Sequence, residues 1–294
     1  DRVAERRRDV EWVEAAWADP RTRVFLVQDG RALVSYDPGP ALVMVSPEQL
    51  PQGPADGQGG DRYLLGVDED GVAYFAVRGT LPAMEGAEPA SLRRVGALLN
   101  DQDSGLLTHA VALEHWHKTN PYCPRCGTPN ELTAAGHVRM CPSDGSEQFP
   151  RVDPAVIMLI RDDDDRVLLA RAPSWPEKVR SILAGFVEPG ESLEQAVARE
   201  VREEVGLVVS DAQYMGSQPW PMPQSLMLGY FARARGDQEL RPDAEEIVDA
   251  AWYTREEIRE GLESGRIAMP GPLSIAAQLI IRWYGAPLPD VPPF

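Results

Sequence analysis

Three glutamates between residues 200 and 204 have the spacing of a helical metal site. Glu200, Glu203 and Glu204 stand at i, i+3 and i+4, so in a helix their carboxylates project from neighbouring positions. Clustered carboxylates repel one another unless a cation or a proton compensates their charge. Oxygen ligands suit hard cations such as Mg²⁺ or Mn²⁺, which can activate water and neutralise charge on a phosphate. The spacing alone leaves a second interpretation open, a surface helix on which pairs such as Arg199–Glu203 aid solubility.

The segment around these glutamates predicts the helix that would position them. Residues 194–205 are helix-forming, Ser192 is a plausible N-cap, and Gly206 stands where a glycine commonly ends a helix. An apolar stripe recurs every four residues, and Glu200 and Glu204 fall beside it rather than opposite it. The stripe consists of Leu193, Val197, Val201 and Val205. We therefore expect a cluster of carboxylates at the edge of a buried helix face.

A second group of possible metal ligands lies in a short cysteine-containing module. CPRCG at 123–127 has the form of a zinc knuckle, and CPSDG at 141–145 repeats it with an aspartate in place of the second cysteine. Carboxylate oxygen also binds Zn²⁺, so we expect a structural, tetrahedral site of Cys123, Cys126, Cys141 and Asp144. Two alternatives stay open: His137 as the fourth ligand, or a knuckle without metal. A redox Cys-x-x-Cys is disfavoured, because no thioredoxin-like βαβ pattern surrounds it.

The composition excludes several classes of protein. The chain has 294 residues, with 29 Lys+Arg against 46 Asp+Glu, a formal net charge of −17. That balance argues against a dedicated duplex-binding surface, because Lys and Arg supply most non-specific affinity for nucleic acids. No apolar run approaches the ~18 residues of a membrane span, so we expect no membrane association. Three cysteines are too few for a disulfide scaffold and suit a reducing compartment, so the expected location is cytoplasmic.

The pattern of apolar and turn residues divides the chain into three expected domains. Residues 1–118 have the features of an N-terminal mixed α/β domain, 119–150 form the cysteine module, and 151–294 are β-rich and contain the acidic helix. In the first domain, short apolar runs between turn residues predict hairpin strands, and Asp70-Gly71 is a strong hairpin signal. The predicted strands are 24–27, 32–35, 41–45, 64–67 and 72–77.

Three further segments carry structural expectations. Residues 91–118 have helical apolar spacing, and residues 51–61 (PQGPADGQGGD) form a loop by composition. Strands at 155–160 and 167–170 are expected to pair across the turn RDDDDR. Charge blocks are usually exposed, so we expect its four aspartates to be solvated and not to bind metal.

Residues 185–207 resemble the Nudix box at its fixed positions. Gly185 is followed after five residues by Glu191, and after seven more by REVREEVGL at 199–207. The resemblance implies the family's α/β/α sandwich around a mixed sheet for residues from about 151 to 290. The whole chain is then an α+β protein, in which a zinc-ribbon module and an N-terminal Nudix-like domain precede the sandwich. The implied reaction is hydrolysis of a nucleoside diphosphate linked to another moiety.

The same resemblance implies roles for the acidic residues. In Nudix hydrolases, divalent metal is held by carboxylates that match Glu200, Glu203, Glu204 and, approaching from outside the box, Glu246. The arginine matching Arg199 orients this cluster through the glutamate matching Glu191. A metal-activated water attacks one phosphorus, and Glu204 is the expected general base or shared ligand.

A second motif indicates which diphosphate is the substrate. Residues 217–225 (SQPWPMPQS) are similar to the SQPWPFPxS signature of the NADH pyrophosphatase (NudC-type) subfamily, with Met222 in place of Phe. Trp220, held between two prolines, is a rigid aromatic platform whose flat face suits nicotinamide or adenine. Taken alone, the segment is better interpreted as a proline-rich loop with a core tryptophan. Beside a full Nudix box, the resemblance favours the first interpretation.

The subfamily resemblance implies a dinucleotide site. The residues at matching positions are Phe149, Ile157, Phe186, Gln218, Trp220 and Ala276; Phe149 replaces a common Tyr, which keeps the stacking face and loses a hydroxyl. The implied activity is hydrolysis of NADH or NAD⁺ to nicotinamide mononucleotide and AMP, and removal of NAD caps from RNA, by a homodimer. ADP-ribose or dinucleoside polyphosphates as substrates, and a non-catalytic nucleotide sensor, are the alternatives.

Overall fold

A computed structural model of the chain describes residues 1–50 and 61–289 and divides them into two compact units. The first unit comprises Asp1–Arg151 together with Pro221–Gln224, and the second comprises the rest of the chain. The expected loop at 51–61 lies outside the described residues except for Asp61.

The first unit contains two three-stranded sheets built from six short strands. One sheet has the order β1-β5-β4, with β1 and β5 parallel, and the other has the order β3-β2-β6 and is antiparallel. The strands are β1 Arg23–Val27, β2 Arg31–Ser35, β3 Ala41–Leu42, β4 Arg62–Val67, β5 Ala73–Arg78 and β6 Ala87–Ser91. The hairpin predicted at Asp70-Gly71 is confirmed as β4–β5. The strand predicted at 41–45 is shorter than expected, since Val45 forms only an isolated bridge to Val24.

The helical segment predicted at 91–118 is interrupted in the structure. The helices of this unit are α1 Val10–Ala18, α2 Leu92–Val95 and α3 Asp101–Thr119. The break falls at residues 96–100 because Asn100 starts a new helix, its side chain accepting a hydrogen bond from the backbone N–H of Asp103. Even α3, with 19 residues, lacks the apolar character needed to cross a membrane, and no other helix among the described residues meets that requirement.

The cysteine module is a small antiparallel sheet with two turns. Its strands are β7 Glu131–Thr133, β8 Val138–Met140 and β9 Glu147–Gln148, in the order β7-β8-β9. The two cysteine-containing turns lie before β7 and between β8 and β9. The sheet therefore separates the two halves of the zinc motif in sequence, while the turns bring them together in space.

The second unit has one mixed six-stranded sheet. Its order is β13-β14-β10-β11-β15, and β12 pairs with β10 beside β11. β10 runs parallel to β14 along its whole length and antiparallel to β12. The strands are β10 Asp153–Arg161, β11 Val167–Arg171, β12 Leu183–Phe186, β13 Val209–Trp220, β14 Ser225–Ala234 and β15 Asp249–Tyr253.

Helices cover both faces of this sheet. They are α4 Leu193–Val205, α5 Arg255–Glu263 and α6 Ile275–Tyr284. Successive residues of β10 point to opposite faces, so Val156 and Met158 pack with α4, whereas Ile157 and Leu159 pack with α5 and α6. The unit is therefore the α/β/α sandwich that the Nudix resemblance implies.

The acidic turn after β10 differs from its expectation in one residue. Asp163 and Asp164 are exposed and Asp165 is partly exposed, but Asp162 is only 7% exposed. Its carboxylate accepts hydrogen bonds from the backbone N–H groups of Asp164 and Arg166 and from the Arg166 side chain. Asp162 is therefore not a solvated charge, because it organises the turn that joins β10 to β11.

Candidate active site and zinc cluster

The acidic helix α4 has the predicted ends. Ser192 and Gln195 form a reciprocal capping box, in which each side chain satisfies the other residue's backbone N–H. Gly206 ends the helix with φ 73°, a left-handed conformation that glycine adopts without strain. These caps fix where the helix starts and hence which side chains face the sheet.

Two of the three box glutamates are buried at the edge of the helix's apolar face. Glu200 is 8% exposed and Glu204 is 4% exposed, whereas Glu203 is exposed. β12 leaves room for Glu200: a Cβ built on Gly185 would lie 1.9 Å from the Glu200 Cδ. The glycine is thus required by the close approach of this carboxylate to the strand.

Arg199 connects the loop before the helix to the glutamates. Its Nε and Nη2 donate to the two carboxylate oxygens of Glu191 at 3.0 and 2.6 Å. Its Nη1 donates to Glu200 at 2.9 Å and to Glu203 at 3.0 Å, and Nη2 also donates to the carbonyl of Phe186. These hydrogen bonds raise the pKa of Arg199 and lower that of Glu191, so both groups remain charged. Arg199 thus joins Glu191 to Glu200 and Glu203 through hydrogen bonds, and its orienting role in catalysis stays a prediction.

Glu204 lacks a partner for its buried charge. Burial, followed by the charges of Glu200, Glu246 and Asp243, raises the pKa of Glu204 to about 8. Burial also raises the pKa of Glu200, against the opposing effect of Arg199. The Oε2 atom of Glu204 is buried without a hydrogen-bond partner, a costly state for a carboxylate. A divalent cation would satisfy this oxygen and relieve the repulsion, so the residues fit such an ion.

The carboxylates line a cleft of about 640 Å³ in the second unit. Arg199 and the exposed ring of Phe186 also line it. Its acidic residues are Glu188, Glu200, Glu203, Glu204, Asp243 and Glu246. The structure therefore brings Glu246 to the box glutamates, although more than forty positions separate them in sequence.

Sequence reasoning missed Glu188 and Asp243. The Asp243 carboxylate accepts hydrogen bonds from the backbone N–H groups of Glu245, Glu246 and Ile247 at 3.1, 3.0 and 2.9 Å. Its own N–H donates to the carbonyl of Glu204. Asp243 thereby ties the loop that carries Glu246 to the end of α4. The only signal in the sequence was its position three residues before Glu246.

Several residues expected to bind the dinucleotide lie outside the cleft lining. Ile157 and Ala276 are buried in the core between the sheet and α6. The Gln218 amide is engaged at the start of α6, donating to the Leu273 carbonyl at 2.6 Å and accepting from the Ile275 N–H at 2.7 Å. Trp220, at the end of β13, is partly buried, and Phe149 is exposed in the first unit. Their roles in substrate binding stay predictions.

The second cluster of ligands lies in the first unit. Among the described residues, one group offers metal-ligand atoms that all lie within 4.8 Å of one another: Cys123, Cys126, Cys141 and Asp144. The Cys126 and Cys141 sulfurs are 3.5 Å apart, near the roughly 3.8 Å expected for two thiolates on one tetrahedral zinc. Hydrogen bonds from Ser146 lower the pKa of Asp144, which favours the ionised form that binds metal. This donor set fits zinc.

The alternative ligand His137 lies elsewhere. It is buried, its Nε2 is 2.7 Å from the carbonyl oxygen of Leu64, and it does not belong to the ligand group. His117 is likewise a structural residue, with Nε2 2.8 Å from the Gly136 carbonyl and Nδ1 accepting from Arg139. Both histidines therefore serve packing and hydrogen bonding.

Three family models match successive parts of the chain. Residues 21–116 match the NADH pyrophosphatase-like rudimentary NUDIX domain, 118–149 the NADH pyrophosphatase zinc ribbon domain, and 151–270 the NUDIX domain. Together with the sandwich and its carboxylate cleft, these matches define the class: the chain belongs to the Nudix hydrolase family, in its NADH pyrophosphatase branch.

Comparison with individual proteins shows which members of the family the chain resembles. The chain is 40% identical over 302 aligned residues to the NAD-capped RNA hydrolase NudC of Mycobacterium bovis, covering 96% of this chain and 92% of the relative. It is 39% identical to the human NAD-capped RNA hydrolase NUDT12 over 197 residues, which cover 63% of this chain and 42% of that protein. A NUDIX hydrolase crystal structure from Nitrosomonas europaea aligns with a TM-score of 0.44 and 20% identity, over 57% of this chain and 94% of that one.

Proposed function

We propose that the protein is an NAD(H) pyrophosphatase that also removes NAD caps from RNA. It hydrolyses the diphosphate of NADH or NAD⁺ to nicotinamide mononucleotide and AMP. Relatives named NAD-capped RNA hydrolases share 40% identity across nearly the whole chain, which supports this substrate class. The observation that carries the catalytic part is the buried, unpartnered Oε2 of Glu204 within a cleft of carboxylates.

In this proposal Glu200, Glu203, Glu204 and Glu246 hold Mg²⁺ or Mn²⁺. The ions, when bound, neutralise the diphosphate and lower the pKa of an attacking water. Residues 152–294 contain neither Cys nor His, so this unit offers oxygen ligands, which favour such hard cations over zinc. We assign Glu204 the role of general base or shared ligand, because it is buried in the cleft and its Oε2 has no hydrogen-bond partner among the described residues.

In this proposal Arg199 and Glu191 orient the carboxylates that bind the metal. Their two-pronged ion pair links the loop before α4 to the cluster, and the remaining Arg199 hydrogen bonds reach Glu200 and Glu203. This holds the carboxylates in one geometry before substrate arrives, which reduces the cost of reaching the transition state.

Aromatic faces would hold the rings of the dinucleotide. Phe186 is exposed at the cleft, which supports a stacking role. We also assign ring or base contacts to Phe149, Ile157, Gln218, Trp220 and Ala276, on the strength of the subfamily motif. Alanine substitution of Phe186 should raise KM for NADH more than it lowers kcat.

Homodimer formation and a cytoplasmic location also belong to the proposal. The family resemblance supports the first, and three cysteines that form no disulfide are consistent with a reducing compartment for the second. Light scattering of the purified chain tests the dimer: a monomer mass at micromolar concentration would contradict it.

Purified protein incubated with NADH and Mg²⁺ tests the reaction, with Glu203→Gln alongside. We expect AMP release by the wild type and a large loss in the variant. Glu194→Gln removes the same charge from the same helix outside the cleft, so it should retain activity. No AMP release by the wild type would leave a nucleotide sensor as the better account, and equal release by Glu203→Gln would contradict the catalytic role assigned to Glu203. Equal rates on ADP-ribose, dinucleoside polyphosphates and NADH would remove the assigned specificity.

A further inference from the structure

The two cysteine-containing turns of the zinc ribbon have the same backbone structure. In 123–128 the first cysteine's N–H donates to the carbonyl five residues later at 2.8 Å, and the glycine's N–H donates to that cysteine's carbonyl at 2.9 Å. In 141–146 both equivalent bonds measure 2.9 Å. The glycines, Gly127 and Gly145, have φ of 74° and 70°. The turns are therefore structural repeats, and Asp144 occupies the position of Cys126.

The residues after these positions are equivalent as well. The Cys126 sulfur lies 3.3 Å from the hydroxyl of Thr128. Asp144 Oδ1 accepts from the backbone N–H of Ser146 at 2.9 Å and from its hydroxyl at 2.6 Å. The other oxygen, Oδ2, is 3.7 Å from the Cys123 sulfur. The hydrogen bonds from Ser146 thus hold Oδ1 of Asp144, and Oδ2 lies on the side of the thiols.

We propose that this chain binds one Zn²⁺ through Cys123, Cys126, Cys141 and Asp144 Oδ2, with Ser146 as the positioning residue for Asp144. Three thiolates and one carboxylate carry the same formal charge as four thiolates. The substitution therefore changes the softness of one ligand and leaves the charge of the site unaltered. Because zinc is held more strongly by sulfur in such sites, the mixed site releases its ion faster than a four-cysteine ribbon does.

Two of the four ligands, one thiol and the carboxylate, lie on the solvent-exposed side of the cluster. Cys123 and Cys141 are buried, whereas Cys126 and Asp144 are exposed. Loss of the Asp144 ligand would expose the ion to water and to chelators without opening the buried half. The consequence of the aspartate is therefore measurable as the rate at which a chelator removes zinc from the folded chain.

Zinc transfer from the full chain to 4-(2-pyridylazo)resorcinol, with zinc content measured by mass spectrometry, tests the proposal. We expect one zinc per wild-type chain, and transfer at least about 10-fold faster from Asp144→Ala. Ser146→Ala should be about 10-fold faster too, since groups that orient a ligand commonly contribute 10–100-fold in metal affinity. Ser143→Ala, in the same turn, is the matched control and should behave as the wild type. Asp144→Cys should be at least about 10-fold slower.

X-ray absorption at the zinc edge identifies the ligands independently of rates. The wild type should show three sulfur atoms at about 2.3 Å and one oxygen at about 2.0 Å, and Asp144→Cys should show four sulfurs. Wild-type protein without zinc, or Asp144→Ala with the wild-type transfer rate, would overturn the proposal. Should Asp144→Ala not fold, an Asp144→Cys variant that keeps three sulfurs and the wild-type rate overturns it equally. None of these readouts depends on hydrolysis of NADH.

Discussion

Both units bury two carboxylates on a helix to the same extent, but the hydrogen bonds that these carboxylates accept differ. On α3 of the first unit, Asp103 is 8% exposed and Glu114 is 4% exposed. On α4 of the second unit, Glu200 and Glu204 have the same two values. Burial alone therefore does not distinguish the unit that carries the candidate active site.

The hydrogen-bond partners make the difference. Asp103 accepts from the backbone N–H of Leu42 at 2.9 Å. Both oxygens of Glu114 accept from backbone N–H groups, those of Asp29 at 2.6 Å and Gly30 at 2.8 Å. Asp103 therefore holds β3, and Glu114 caps the turn between β1 and β2. Glu204, in contrast, keeps one oxygen without a donor. A satisfied buried carboxylate indicates a structural role, and an unsatisfied one indicates a site for a cation.

The largest expected effect comes from removing the unsatisfied carboxylate. Glu204→Gln should lower kcat for NADH by about 10²–10⁴-fold, the usual contribution of a catalytic acid–base group. Thermal unfolding without metal should change little, because no hydrogen bond to Oε2 is lost. The rise in Tm that Mg²⁺ gives the wild type should shrink, since a ligand stabilises only the state that binds it. A variant with wild-type kcat and an intact Mg²⁺-dependent Tm shift would contradict the comparison.

A methyl group at Gly185 should disturb the same cluster from the strand side. Gly185→Ala would place its Cβ 1.9 Å from the Glu200 Cδ, so the carboxylate must move. We expect kcat to fall by about 10²-fold, as a displacement of about 1 Å in a catalytic group does. Gly105→Ala is the control in α3: its Cβ meets nothing within 4 Å, and alanine should stabilise the helix by about 0.5–1 kcal/mol. Wild-type kinetics for Gly185→Ala would show that Glu200 need not hold its position.

Removing a satisfied carboxylate should instead cost stability. Glu114→Gln offers one acceptor oxygen where two N–H groups need acceptors, so one buried N–H loses its partner. We expect the free energy of unfolding to fall by about 1–3 kcal/mol, measured by urea titration. Glu88→Gln, at an exposed ion pair on β6, should change it by less than about 1 kcal/mol. Equal effects of the two variants would refute the structural role of Glu114.

Acid should destabilise the chain through buried histidines, all of which lie in the first unit. Burial lowers the pKa of His117 and His137 to about 4, against about 6.5 when unfolded. The unfolded chain therefore binds more protons between these values, and stability is lost as pH falls from 6.5 toward 4. At pH 5 each histidine should cost about 1–2 kcal/mol of unfolding free energy relative to pH 7.5. His137→Gln should unfold with a weaker dependence on pH; an unchanged dependence would contradict this assignment.

Local patterns predicted the helix of the active site well. The caps of α4, its apolar stripe and the spacing of Glu200, Glu203 and Glu204 all depend on residues within one turn of each other, and the structure agrees with them. The repeat of the zinc knuckle was likewise visible in two five-residue segments. The Nudix resemblance supplied the sandwich, whose strand order follows from long-range pairing and not from local spacing.

The missed features depend on partners distant in sequence or on backbone donors. Nothing in the pattern distinguishes Glu114, which caps a turn 84 residues away, from Glu204, which has no donor. Asp162 was expected to be solvated because charge blocks are usually exposed, yet its carboxylate accepts backbone hydrogen bonds within the turn. Asp243 was missed because its contact with the end of α4, a hydrogen bond from its N–H to the Glu204 carbonyl, joins residues far apart in sequence.

The zinc cluster contains every thiol of the chain. Its three cysteines are Cys123 and Cys141, which are buried, and Cys126, which is exposed. The number of thiols that react with a thiol reagent therefore reports whether the ribbon holds zinc. Up to three thiols can react per chain once zinc has left, and fewer can react while the ion is bound to them. The protein needs no added label for this titration, and the exposed sulfur should react before the two buried ones.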